Sequence, residues 1–446
     1  MTDTRFSHSL EALQSLTEEA LSYARQKGAS ACEVDVSEGV GQSVTVRRSE
    51  VETVEYNRDK GLGVTVYVGQ RKGHASTSDF SLNAIRQTVE GALDIARFTA
   101  EDTFAGLPEA RLLAKQWPDL NLYHPWDLSI EAAIEHAKAC EQAAFDTDAR
   151  ITNSEGAQIS IQEGQFVFGN SLGFIGGYPS SRHSLGCAVI GGEGEYMQRD
   201  SDYSTHRHPE KLETPETIGQ RAAQRTVARL GGRKISTCEV PVVFEAPLAC
   251  GLLGSLVHAT SGGALYRKTS FLLDHLGKAI MPSFIRLSER PHISGGLASS
   301  PFDGEGVSTR DREVVAQGVL QGYFLSSYSA RKLGMETTGN AGGSHNLILH
   351  SGDADLAGLL RQMGRGLLVT ELLGHGINYV TGDYSRGAAG FWVENGEIAY
   401  PVEEVTIAGN LRDMFRQILA IGRDVEVRGS KQTGSILIER MKVAGA

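Results

Sequence analysis

Between residues 32 and 69 the chain reads CEVDVSE, QSVTVRR, VETVEYN and LGVTVYVG, and in each run apolar and polar side chains take turns. Successive side chains on a strand point to opposite faces, so a period of two rich in β-branched residues predicts strands with one buried face. Helical patterns flank these runs. Leu10, Leu13, Leu16, Leu21 and Ala24 recur at near-helical spacing over residues 9–26, and Leu82, Ile85, Val89, Leu93 and Ala96 form one stripe. With RDKG (58–61) as a turn, the opening region predicts an α–β–β–β–β–α order. EDTFAGLPEARLLAKQWPDL (101–120) reads as a linker.

A second segment has the same flavour without being a sequence repeat. A helix over 129–145 precedes strands near QISIQEGQFVFGN and GCAVIGG, and TPETIGQRAAQRTVARLGG closes it. There Thr214 can cap, Pro215 suits the first helical position, Glu216 suits the helix dipole and Gly231 can end the helix. From about residue 236 the pattern is mainly β. REVVAQGVLQGYFL and GFWVENGEIAYPV read as hairpins, interrupted by helices near PLACGLLGSLVHA and DADLAGLLRQM. The expected fold class is α+β: an α/β N-terminal region with mixed sheets, then a largely β C-terminal domain. The expected domains are residues 1–105, 120–232 and 236–446.

Composition excludes several classes. The 52 glycines against 12 prolines favour turns and hairpins over a Pro-rich disordered chain. A net charge of -11 argues against nucleic acid as a general partner, because phosphate binding wants a basic surface. Cys32, Cys140, Cys187, Cys238 and Cys250 are odd in number, widely spaced and without a CxxC, which reads as reduced thiols in a cytoplasmic protein. The polar, amphipathic start does not read as a signal peptide, and no run of 18 apolar residues predicts a membrane span.

Several side-chain patterns touch on chemistry. In VTELLGHGINYVTGDYSRG, Glu371 and His375 stand four apart, followed by Asp383. On a helix they would share a face, as half of a zinc site. However, LLVTELL is apolar and bounded by Gly364, Gly366 and Gly374, which reads as a buried strand. On a strand residues four apart lie roughly 13 Å apart, too far for one ion, and His375 between two glycines reads as a turn residue. FGNSLGF contains a formal GxSxG around Ser171, but the following FIGGYPSS opposes the helix that a nucleophile elbow needs, so a tight turn is expected. His206 and His208 in STHRHPE form an HxH pair with no visible third ligand. His258 ends an apolar helical run and enters a Ser-Gly-Gly segment, where a capping or core role is the plain reading. No P-loop, dinucleotide fingerprint or kinase set occurs.

The blocks FDGEGVSTRDREVVAQGVLQGYFLSSYSARKLGMETTGNAGG and TGDYSRGAAGFWVENGEIAYPVEEVTIAGNL closely resemble the TldD/PmbA family, on its PmbA (TldE) branch. VRRSEVETVEYNRDKGLGVTVYVGQRKGHASTSD is similar to the same family's N-terminal domain, so the resemblance covers nearly the whole chain. It implies a cytosolic heterodimeric zinc metallopeptidase whose subunits associate around a central cavity. Its implied substrates are unfolded peptides, including a modified peptide antibiotic (a microcin) and a labile antitoxin. The family's zinc site lies in the TldD branch, in an HExxxH helix with a later cysteine. Against LVHATSGGAL, His258 stands at the first ligand, Ala259 at the glutamate and Gly263 at the second histidine, and no cysteine follows Cys250. Zinc hydrolysis wants about three protein ligands and a carboxylate base, which one histidine does not supply.

The first expectation is therefore a partner subunit lacking the metal motif, binding no zinc alone and completing a TldD-type catalytic subunit that holds it. Unfolded peptides are the expected substrates, and neither nucleic acid nor membrane is an expected partner. The second is an independent metallopeptidase with ligands assembled from His258, His345, His350, His375 or Glu371. The third is a structural or binding homodimer without proteolytic role.

Overall fold

The computed structural model describes residues 5–445. Helix α1 (Leu10–Gln26) starts on Ser9, whose hydroxyl accepts the Ala12 amide, and turns Leu13, Thr17, Ala20 and Ala24 inward. Strands β1 (Ala31–Arg47), β2 (Glu50–Val68) and β3 (Arg71–Thr77) follow, then α2 (Leu82–Phe98). Where the alternation predicts four short strands, two long ones stand. RDKG is not a turn: Arg58, Asp59 and Lys60 lie inside β2 opposite Val40, Gly39 and Glu38. The chain instead reverses at Arg48 and Ser49, with φ of 52° and 61°. Two successive left-handed residues make the tight hairpin turn that suits strand twist. Neither is a residue type that advertises it, and the conformation is held from outside. Glu141, fully buried, accepts the Arg48 amide at 2.8 Å and the Ser49 amide at 2.7 Å. β3 pairs with Leu62–Val68 and escapes the pattern because RKGHAST is short and carries little apolar content.

The second segment contributes α3 (Ile130–Thr147), β4 (Ile151–Asn170), β5 (Ile175–Gly191), β6 (Gln198–His206) and α4 (Pro215–Ala228). Thr214 caps α4 by accepting the Thr217 amide, with Pro215 first in the helix. β4 pairs with β1 along its length, so both segments share one antiparallel sheet ordered β3-β2-β1-β4-β5-β6. α1 and α2 cover Val34, Val36, Leu62, Val64 and Val66, while α3 and α4 cover Val44, Val46, Ile159, Leu185 and Val189. Residues 101–120 are a strap rather than a loose linker. The Arg331 guanidinium donates to the Phe104, Gly106 and Leu107 carbonyls at 2.7–3.0 Å, and Leu113 and Leu120 are buried.

The remaining chain is mainly β. In order it forms β7 (Cys238–Phe244), α5 (Ala246–Ala259), α6 (Gly262–Tyr266), β8 (Leu287–Glu289), β9 (Arg312–Ala316), β10 (Val319–Leu320), α7 (Ser327–Leu333) and β11 (Leu347–Leu349). Then come α8 (Leu356–Met363), β12 (Gly366–Leu373), β13 (Asp383–Glu394), β14 (Glu397–Asn410), α9 (Leu411–Arg416), β15 (Ile418–Ile421), β16 (Lys431–Gln432) and β17 (Ile436–Ala444). Both expected hairpins are present, turning at Gln317–Gly318 and Asn395–Gly396 with positive φ at each residue. β14-β13-β12-β7-β17 form a sheet that closes because β14 also pairs with β17, and β7 and β12 run parallel. A second sheet, β10-β9-β8-β11-β16, packs through the core that holds Leu253, Leu256, Ile285 and Leu287. No helix among the described residues is long and apolar enough to cross a membrane.

Candidate functional site

The helix that would carry the metal motif is broken where the motif would run. α5 ends at Ala259, where Thr260 turns its hydroxyl back to the Leu256 carbonyl at 2.7 Å, and Ser261 caps the new helix α6. His258 lies at the surface, its ring against Tyr379 with centroids 4.0 Å apart. Partial burial, and then the charge of Arg267, hold its ring pKa below the ordinary histidine value. Ala259 is fully buried among apolar neighbours. Gly263 has no side chain, and the exposed Arg267 guanidinium lies alongside it: a Cβ there would stand 3.1 Å from the Arg267 Nη2.

These residues do not fit zinc. One imidazole is a single donor where a zinc site uses about three, and a fixed cation beside it repels another. Among the described residues no group of three or more His, Cys, Asp or Glu side chains is arranged to hold a metal ion.

The other candidates are dispersed. Glu371 is on β12 and is ion-paired with Arg229 of α4. His375 lies beyond the strand in an exposed turn, its carbonyl accepting the Ile377 amide at 2.8 Å. Asp383 accepts hydrogen bonds from the Thr381 hydroxyl at 2.6 Å and the Asn410 amide at 3.1 Å, which hold its carboxyl below the usual range. Ser171 sits in the turn between β4 and β5 and its hydroxyl accepts the Cys32 amide at 3.0 Å, which ties the turn to β1. His206 accepts the His208 amide at 2.9 Å, and the His208 ring stacks on His124.

His350 pairs with the Ser288 hydroxyl at 2.7 Å. His345 lies in a buried polar knot. Its amide donates to Glu289 at 2.8 Å and its ring Nδ1 lies 3.1 Å from the same carboxylate, which also takes Asn340 and Arg312. Burial pushes the Glu289 carboxyl up, but the His345 hydrogen bonds and the Arg312 charge outweigh it and hold the pKa down at about 2. This knot ties β8, β9 and the Asn340–His345 loop together.

Sequence reasoning missed a charged cleft of about 470 Å³ between the first sheet and the closed ring. Arg221 and Arg225 on α4 and Arg229 at its C-cap recur every fourth residue, on one face of the helix. Arg225 binds Glu245 at 2.9 Å and Asp200 at 3.3 Å; Arg229 binds Asp200 and Glu371; Arg428 binds Asp202 at 2.7 Å and Glu426 at 2.8 Å. Burial pushes the Glu426 carboxyl up against the pull of Arg428. The cleft joins the halves by alternating charges that cancel one another. The R-x-x-x-R-x-x-x-R spacing was its one sequence signal, and the matching acids are too far away in the chain to be paired with it from sequence.

The PmbA/TldA metallopeptidase domain 1 matches residues 32–96, the central domain residues 123–230 and the C-terminal domain residues 237–445. Metalloprotease PmbA of Escherichia coli O157:H7 is 50% identical over 439 residues, 98% of each chain. The Metalloprotease PmbA homolog of Haemophilus influenzae is 51% identical over 427 residues, 96% of this chain and 94% of that one. A crystal structure from Bacteroides thetaiotaomicron, described as a candidate modulator of DNA gyrase, superposes with a TM-score of 0.93 at 30% identity, over 98% of this chain and all of that one. TldE from Thermococcus kodakarensis has the same fold, with a TM-score of 0.85 at 22% identity over 96% of this chain and all of that one.

Proposed function

Since the chain belongs to the PmbA/TldD metallopeptidase family, we propose that it is the subunit of a TldD/TldE-type zinc peptidase that lacks the metal motif and completes a catalytic partner. The observation that carries this reading is Ala259, fully buried among apolar neighbours where the water-activating carboxylate would stand, with no side chain at Gly263 to offer a second imidazole. Hydrolysis of a peptide bond at a metal needs an open coordination position and a base for the bound water. In this reading both belong to the TldD-type subunit, which holds the zinc. The present chain supplies wall and support to the substrate cavity, and its exposed backbone grips an unfolded peptide by main-chain hydrogen bonds. Unfolded peptides suit such a site, because an extended backbone offers the same donors and acceptors whatever its side chains.

The test mixes this chain with a TldD-type subunit and follows cleavage of an unstructured peptide, with each chain alone as control. Cleavage is expected from the mixture and none from this chain alone. Zinc content of the purified chain is measured in parallel. A stoichiometric, tightly held zinc, or cleavage by the isolated chain that is lost in His258→Ala or His375→Ala, would overturn the proposal in favour of an independent metallopeptidase.

A further inference from the structure

The end of the strap and the residues after it wall a groove of about 450 Å³ against β5 and the loop at Pro301. Trp117, Tyr123 and Tyr178 line it, together with Pro118, Pro179 and Pro301. The rings are held from behind. Phe302 makes T-shaped contacts with Trp117 at 5.0 Å and with Tyr178 at 5.7 Å. The Tyr178 hydroxyl pairs with Ser300 at 2.9 Å, and the Tyr123 hydroxyl donates to Glu163 at 3.3 Å. The chain between the rings is pinned as well: the Leu120 carbonyl accepts the Gly295 amide at 2.7 Å and the Leu122 carbonyl the Ser181 amide at 3.0 Å. A groove fixed in this way loses little freedom when it is filled.

What the lining offers identifies the occupant. It does not extend a sheet: residues 114–129 contain no strand, and Pro118 and Pro179 have no amide to lend to a ladder. A ligand that docks here brings a backbone that needs no ladder. Polyproline II is such a conformation, with three residues per turn and no internal hydrogen bonds, and unfolded chains visit it often. Its proline rings pack flat on aromatic side chains, as they do in other aromatic-lined grooves. Donors for its carbonyls are at hand: among the described residues the Trp117 indole N–H and the Asn121 side-chain amide have no acceptor. Charge selects further. Asp119 is the only charged residue of the described lining. It is exposed, its Oδ1 accepts the Asn121 backbone amide at 2.8 Å, and no ion pair among the described residues reaches it. A lone carboxylate beside an aromatic groove favours lysine or arginine in the ligand and disfavours an acid.

We propose that this groove docks an extended, polyproline II segment of peptide that carries prolines and a basic residue. It shares no lining residue with the charged cleft or with the helix break at Thr260. The inference rests on the reading that unfolded peptides are the ligands, and it deepens that reading by naming the kind of segment that is held. Neither zinc nor a second subunit takes part, so the isolated chain binds.

The test follows the fluorescence anisotropy of a labelled P-x-x-P peptide with one arginine as the full chain is added. Two further peptides replace its prolines by glycine or its arginine by glutamate. Saturable binding is expected for the first, and each replacement is expected to weaken it about tenfold. Asp119→Asn keeps an oxygen for the Asn121 amide but no charge. With melting unchanged, it is expected to erase the difference between the arginine and glutamate peptides. Trp117→Ala is expected to weaken the proline peptide about tenfold. A glycine peptide that binds as well as the proline one, an Asp119→Asn chain that still discriminates, or no binding at micromolar concentration would each overturn the proposal. If binding fails while the mixture of subunits still cleaves, only the groove is struck. If binding holds while the mixture is inert, the groove stands and the partner-subunit reading falls.

Discussion

The sheet of β1 to β6 and the small sheet β10-β9-β8-β11-β16 of the second half hold their strands in different ways. In the first, long strands are paired in simple antiparallel register and one face is covered by four helices whose apolar stripes meet it. Val34, Val36, Val64 and Val66 are fully buried, and their polar neighbours in the chain lie on the other face. In the second half the strands around the core are short, such as β8, β10 and β16, and irregular loops run between them. Those loops bury polar backbone, and buried polar groups must find partners. The second half answers with a buried carboxylate. Glu289 is 1% exposed and gathers His345, Asn340 and Arg312; Asp303, 5% exposed, accepts the Glu305, Val307 and Ala341 amides at 2.9–3.0 Å. The helix-covered sheet uses its fully buried carboxylate, Glu141, at the end of a hairpin; the small strands and loops gather theirs in the middle of the core.

The contrast can be broken most directly at Glu289. Glu289→Ala leaves Arg312 buried without its carboxylate, a change that costs about 3–5 kcal/mol. A large fall in melting temperature, or loss of soluble protein, is expected, and a variant that melts with the wild type would show that the knot is dispensable. Apolar truncations come next. Ile85→Ala under the first sheet and Leu256→Ala in the second core are both fully buried and should each cost about 2–5 kcal/mol by denaturant titration. Similar losses would show that the halves share their apolar basis and differ in the charged part.

Acid sharpens the comparison further. The folded pKa of Glu289 is depressed to about 2, so its contribution to stability is present above the ordinary glutamate range and is lost as pH falls towards 2. Asp303 runs the other way. Burial, ahead of its backbone hydrogen bonds, raises its pKa to about 6, so its contribution is present below the ordinary aspartate range and is lost as pH rises through 6. Asp303→Asn should therefore flatten the part of the stability profile between about pH 4 and 6, measured by thermal melts across that range, and leave the acid limb set by Glu289 in place. The smallest expected effect is at a cap. Ser129 accepts the Ala132 amide at the start of α3, and Ser129→Ala should cost about 1 kcal/mol. A much larger loss would mean that α3 does more than cover the sheet, as its Glu141 contact with the Arg48–Ser49 turn suggests.

The helices were legible in the sequence because their signals are local. Thr214 caps where the pattern places it, and the stripes of α1 and α2 face the core, with Leu82 left exposed at the start of α2. The hairpins at Gln317–Gly318 and Asn395–Gly396 were legible because glycine takes the left-handed conformation that they need. The first hairpin was misplaced for the converse reason: RDKG contains a glycine that stays extended, while Arg48 and Ser49 turn left-handed under the hold of Glu141, distant in sequence. Around the candidate site, the absence of a glutamate at Ala259 and of a histidine at Gly263 could be read directly. That Arg267 occupies the space beside Gly263 could not, since it depends on how α6 folds back after the break at Thr260.

Residue types and their spacing alone determined the principal helices, the two C-terminal hairpins and which faces are apolar, because each follows from neighbours a few positions apart. Tertiary structure decided where β2 turns, what Glu289 and Glu371 bind, and how Arg221, Arg225 and Arg229 find their acids. Those outcomes depend on groups as far as 93 and 142 residues apart in the chain, and a charge or an unpaired amide acquires its energy only from what the fold brings within a few ångströms of it.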